Sequence, residues 1–128
     1  MARPSAAAIV ATVAVALAML TGCTGYADPE DVATYQPAGD GGADALLEGI
    51  LVREDGCTYV DGPAGERTLP VFAAGTVTWS DDTLIVRNLS YQVGETAGFG
   101  GGEYGAGSTA TISVPEACDD SVPRWAVN

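Results

Sequence analysis

From residue 45 onward the chain reads as short runs in which apolar and polar residues alternate. The runs are GILVRE (49–54), CTYV (57–60), TLPVFA (68–73), TVTWS (76–80), TLIVRNLSY (83–91) and TATISV (109–114). They recur every 8 to 12 residues or so with Gly, Asp or Pro between them, and no window shows an apolar period of 3.6, so the pattern predicts strands and no helix. Asp55-Gly56 separates the first two runs, a two-residue turn in which both positions favour positive φ, and this predicts a β-hairpin. Pro70 lacks an N–H donor and marks an edge strand or a break within TLPVFA. Val77 and Trp79 share one face of their strand, and Trp79 reads as core. Asp81-Asp82 and Val93-Gly94-Glu95 read as turns, while Ala110, Ile112 and Val114 alternate with Thr109, Thr111 and Ser113. Many short strands with turn residues between them predict an all-β domain, a small antiparallel barrel or sandwich in which an OB-like arrangement is possible.

The start of the chain has a different pattern. Arg3 precedes residues 6–20, which are apolar except for Thr12. A basic start, an apolar middle and small residues afterwards is the layout of a secretory signal peptide. As a helix, this 15-residue run would rise only about 22 Å, short of a hydrocarbon core of about 30 Å, which disfavours a permanent membrane span. The run ends in Leu20-Thr21-Gly22-Cys23. This tetrapeptide resembles the lipobox of bacterial lipoproteins. The resemblance implies lipidation of the Cys23 sulfur, cleavage before it and two acyl chains as a membrane anchor, since a single chain holds only marginally. The other reading, an ordinary cleavage site followed by an unrelated cysteine, leaves the agreement of all four residues unexplained.

Residues 24–44 hold two prolines, four glycines and five acidic residues, with no positive charge. Such a composition lacks the apolar surface that offsets chain entropy, so a disordered spacer is expected. As a coil of 21 residues it would span roughly 25 Å. Tyr26 and Tyr35 read as solvated residues within it. The expected organisation is a signal peptide over 1–22, a lipidated cysteine and acidic linker over 23–44, a β-domain over 45–120 and a tail over 121–128.

The stretches GILVREDGCTYVD, RTLPVFAAGTVTW and YQVGETAGFGGGE resemble small secreted or lipoprotein β-domains of actinobacterial type. The resemblance implies a fold and a location, and carries no activity.

Charge and cysteine count sharpen this picture. The 128 residues carry a formal charge of −12, with five arginines, no lysine and no histidine. Loss of residues 1–22 removes Arg3 and no acid, which takes the charge to −13. A phosphate backbone demands the opposite sign, which argues against nucleic acid as a partner. With Cys23 lipidated, Cys57 and Cys118 remain as an even pair 61 positions apart, expected to form a disulfide outside the cytoplasm. In the loop-entropy picture such a bridge contributes about 4 kcal/mol, welcome in so small a core. A metal site on the same two cysteines would lack histidine partners and close spacing.

Candidate chemistry is sparse. GFGGGEYGAG (98–107) lacks the lysine and hydroxyl of a phosphate loop and reads as a mobile hairpin tip. Phe99 and Tyr104 at its shoulders are the candidate contact surface. Ser80, Ser90, Ser108 and Ser113 have no histidine or lysine to activate them. Asp55, Asp61, Glu66, Asp81, Asp82, Glu95 and Glu103 offer carboxylates for glycoside hydrolysis, read more simply as turn and surface groups. Asp81-Asp82 and Asp119-Asp120 are the densest acidic pairs, a weak calcium alternative outside any EF-hand pattern. Trp125, in SVPRWAVN (121–128), is expected to pack on its own domain. No cofactor is expected. The resulting expectation is a lipid-anchored envelope protein that displays a binding or structural β-domain to an unknown envelope protein or small ligand, with a small carboxylate-dependent hydrolase and a calcium module as alternatives.

Overall fold

The computed structural model describes residues 27–37, 44–104 and 111–128. Among these described residues ten strands follow one another: β1 Ala33–Tyr35, β2 Ala45–Glu54, β3 Cys57–Asp61, β4 Arg67–Ala73, β5 Val77–Ser80, β6 Thr83–Val86, β7 Leu89–Gln92, β8 Thr96–Glu103, β9 Ile112–Ser113 and β10 Arg124–Val127. The fold is all-β, as the alternation predicts.

Five strands close a barrel in the order β10-β8-β2-β3-β4, and β4 pairs back to β10. Counted along the chain, neighbouring barrel strands run 1-2-3-5-4-1, the connectivity of an OB-type barrel. The β5–β6–β7 meander is inserted between the third and fourth barrel strands as a second sheet. The Asp55-Gly56 hairpin forms where expected: Glu54 sits opposite Cys57, and the two turn residues take φ of 49° and 78°. Asp81, at φ 52°, begins the turn between β5 and β6.

Pairing is not purely antiparallel. β4 runs parallel to both β1 and β10. This explains Pro70, which is fully buried in the middle of β4. The Leu69 N–H donates to the Pro123 carbonyl on one side, and the Ala74 N–H donates to the Tyr35 carbonyl on the other. Alternation of N–H groups along a strand aims the Pro70 nitrogen at the second side, between the end of the β3 ladder at Thr68 and the start of the β1 ladder at Val71. The proline occupies the one place in β4 where the neighbour changes and no donor is needed.

Two apolar clusters share these strands. The barrel interior gathers Leu51, Val60, Phe72, Ala97, Phe99, Trp125 and Val127, and the meander adds Val77, Leu84 and Val86. The outer face of β3 and β4 carries the second cluster, where Cys57, Tyr59, Leu69 and Val71 meet Ala33 and Cys118. Burial on both faces accounts for the unbroken apolar run of β4. Cys57 and Cys118 form the expected disulfide, with Cα atoms 5.1 Å apart.

Four expectations require correction. The linker assigned to 23–44 contains β1, and its described part belongs to the fold: Val32, Ala33 and Thr34 are buried, and the Tyr35 hydroxyl donates to the Val127 carbonyl at 2.8 Å. The tail assigned to 121–128 supplies β10, a barrel strand, so the domain extends beyond 45–120. Trp125 is buried in the barrel cluster, as expected of it. The glycine-rich stretch is strand β8 through Glu103, not a hairpin tip, while residues 105–110 lie outside the described residues. Finally, Phe99 is only 2% exposed, so it cannot present its ring to a partner.

Candidate functional site

The N-terminal segment, the end of β2, the β2–β3 turn, β5 and residues 115–117 border an open cleft of about 660 Å³. It is assembled from segments far apart in sequence, and each has a local reason to be there. Asp28 anchors the N-terminal segment by accepting the Gly75 N–H at 2.8 Å. Three residues on, Asp31 joins two strands from different sheets. Its Oδ2 accepts from Arg53 Nε at 2.5 Å, and its Oδ1 accepts from Trp79 Nε1 at 3.0 Å. The Arg53 guanidinium lies 4.0 Å from the centre of the Trp79 ring, a cation–π contact, and its Nη1 donates to the Asp81 carbonyl at 3.3 Å.

The opposite wall depends on the disulfide. Gly56 and Ala117 both line the cleft, and each is the chain neighbour of a bridged cysteine. A Cβ placed at Gly56 would come within 3.1 Å of the Ala117 side chain. The positive φ and this close approach both favour glycine at position 56. The bridge therefore fixes the 115–117 wall against the hairpin that carries Arg53.

The cleft presents one indole, one guanidinium and three carboxylates, from Glu30, Asp31 and Glu116. Asp31 has both oxygens occupied by Arg53 and Trp79, whereas Glu30 and Glu116 stand exposed at the rim. Proline and alanine side chains complete the lining, and Thr78 is the only hydroxyl among the described residues that line it. Such a surface suits a ligand that meets an indole and charge of both signs.

A second polar group lies on the outer face of β3 and β4. Arg67 holds Asp61 with two hydrogen bonds of 2.7 and 2.9 Å, reaches Glu54 at 2.5 Å and stacks over Tyr59 at 4.5 Å. The Arg67 hydrogen bonds hold the Asp61 carboxyl below the usual carboxylate range. The Tyr59 hydroxyl accepts the Asp119 N–H at 2.8 Å, and Asp119 accepts from the Ser121 N–H and hydroxyl, which lowers its own pKa. This network ties the 118–121 segment to the barrel wall.

The residues singled out in the sequence fall mostly outside the cleft. Phe99 is core, packed edge-on against Phe72 at 5.3 Å and against Tyr91 at 4.6 Å. Tyr104 is half-buried just beyond β8, with its N–H donating to the Arg124 carbonyl. They do not form a joint surface. Asp55, Asp81, Asp82 and Glu95 occupy turns, Asp61 is paired with Arg67, and Glu66 accepts the Ala64 N–H. Among the described residues no three His, Cys, Asp or Glu side chains come together as a metal site. Ser80, Ser90 and Ser113 are exposed on separate strands, and Ser108 and Cys23 lie outside the described residues. No local pattern in the sequence groups Asp31, Arg53 and Trp79. Trp79, which reads as core, is half-buried: it packs against the barrel cluster and also lines the cleft. The cue to Asp31 was an acidic residue placed directly before an apolar Val-Ala pair.

No family model, no curated protein and no solved structure matches the chain.

Proposed function

We propose that this is a lipid-anchored cell-envelope protein whose barrel is a binding module, and that the Asp31–Arg53–Trp79 cleft is its ligand-contacting surface. The observation that carries the binding half is the cleft: an open concavity with an ordered indole, an ion pair and an acidic rim on a disulfide-stapled scaffold. Concave surfaces on which a few polar groups converge are where ligands most often bind. The lipobox Leu20-Thr21-Gly22-Cys23 supports the anchoring half. The barrel topology by itself assigns no activity.

Each half has its test. Labelled fatty acid supplied to growing cells is expected to mark the wild-type protein and not Cys23→Ala, and a wild type that stays unlabelled would refute the anchor. For the cleft, solubilised envelope fragments, both lipid and cell-wall, are titrated while Trp79 fluorescence is followed. Saturable changes lost in Glu30→Gln/Glu116→Gln support the reading, and saturable binding that this double variant retains counts against it.

A second reading has one observation in its favour: Glu30, Asp31 and Glu116 line the same cleft, which brings together the carboxylates a glycoside hydrolase needs. Turnover of the same fragments that a single Glu30→Gln or Glu116→Gln change abolishes would favour hydrolysis over binding.

A further inference from the structure

The fold begins close to the anchor. Ala27 lines the cleft and Asp28 is hydrogen-bonded to Gly75, so the chain is fixed four positions after Cys23. Four residue steps reach at most about 14 Å, whatever conformation they take. The headgroup zone adds only about 5–8 Å to each side of the hydrocarbon core. A Cys23 whose acyl chains lie in the bilayer therefore keeps Ala27 within about 10 Å of the headgroup surface. The expected spacer of 21 residues would have allowed any orientation. A tether of four does not.

We infer that the cleft faces the membrane and rests against zwitterionic, ammonium-bearing phospholipid headgroups of the bilayer that holds Cys23. This rests on the lipoprotein reading above and extends it to an orientation and a partner. Ala27, Pro29 and Glu30 form the wall nearest the tether, and Trp79 and Glu116 line the same cleft. The charge pattern selects the headgroup. The rim carboxylates of Glu30 and Glu116 attract an ammonium, and the Arg53 guanidinium faces a phosphate with its charge partly satisfied by Asp31. A wholly anionic headgroup meets a chain of strongly negative charge at a distance comparable to the Debye length of about 8 Å, where repulsion is not screened away. The anchor brings the face to the membrane, and the mixed charges decide which lipids it tolerates there.

The protein carries its own reporter. Trp79 lies in the cleft, while Trp125 is buried in the barrel and only 9% exposed. The full lipidated chain is reconstituted into phosphatidylethanolamine–phosphatidylcholine vesicles containing a lipid with a nitroxide on its headgroup. Quenching in the wild type is compared with quenching in Trp79→Phe, which leaves Trp125 alone. The Trp79 signal, obtained by difference, is expected to be quenched several-fold more than that of Trp125. A variant with twenty Gly/Ser residues inserted between Gly25 and Tyr26, a coil of roughly 25 Å, is expected to lose most of this excess. Replacing both zwitterionic lipids by an anionic glycerol lipid is expected to reduce it as well. Protein that floats with the vesicles but shows equal quenching of the two indoles overturns the orientation and leaves the anchor standing. Excess quenching that survives the insertion overturns the short tether as its cause, and excess quenching that survives the anionic lipid overturns the headgroup assignment. Protein that fails to float with the vesicles overturns the lipoprotein reading and this one together.

Discussion

Asp31→Ala tests whether the N-terminal segment is part of the fold or only leads up to it. The substitution removes two contacts at once, the hydrogen bond from the Trp79 indole and the ion pair with Arg53. A hydrogen bond to a charged group contributes about 1.5–3 kcal/mol when well shielded. The Asp31 and Arg53 side chains are 16% and 35% exposed, so water replaces part of what is lost and the ion pair adds at most about 1 kcal/mol. Together these give a loss of about 2 kcal/mol, or a fall in Tm of about 8–16 °C for a domain of this size. Thermal and urea unfolding of the oxidised protein measure it directly. Asp31→Asn keeps an acceptor for the indole and is expected to lose about half as much. A double-mutant cycle with Arg53→Met isolates the pair, with an expected coupling of about 0.5–1 kcal/mol. If Asp31→Ala unfolds within about 0.5 kcal/mol of the wild type, the segment is not clasped to the two sheets and the cleft loses its defining wall.

Three further outcomes are expected. Phe99→Ala removes a ring at the centre of the barrel and is expected to cost about 3–5 kcal/mol in urea unfolding, whereas a surface residue would cost under about 0.5 kcal/mol. Reduction of Cys57–Cys118, or the paired change to serine, is expected to cost about 3–4 kcal/mol by thermal unfolding and to release the amides of residues 118 and 119 to hydrogen exchange before those of the barrel strands. Acid should expose the Arg67–Asp61 pair: the folded-state pKa of Asp61 lies below its unfolded value, so its contribution is present above about pH 4 and is lost as pH falls through the folded pKa. Asp61 is partly exposed, so Asp61→Asn is expected to flatten the pH dependence of Tm below about pH 4 by an amount worth no more than about 1 kcal/mol, and an unchanged slope would refute the assignment.

The parts legible in the sequence are those governed by local chemistry. Asp55-Gly56 specifies a tight turn because both positions adopt positive φ, and the alternating runs beside it must pair for their apolar sides to be buried together. The evenness of the cysteines, once Cys23 is set aside, leaves Cys57 with one partner, and the pair is formed. The same local rules misread β8. In TAGFGGGE the glycines outweigh the alternation of Ala97, Phe99 and Gly101 that points inward. A side chain at Gly101 would collide with the Ala126 carbonyl, so that glycine allows β10 to approach and close the barrel.

The sequence by itself determined the class of the fold, the first hairpin and the cysteine pair, because turn preference, a two-residue period and thiol count each act within or between named positions. Tertiary structure alone decided that Ala33–Tyr35 and Arg124–Val127 are strands, that both run parallel to β4 and that Asp31, Arg53 and Trp79 meet. Three or four residues carry too little period to declare themselves, and they become strands only because β4 offers backbone partners and apolar cover on both of its faces. The cleft exists because closing a sheet brings together residues that the chain keeps far apart, and no local pattern records which of them will touch.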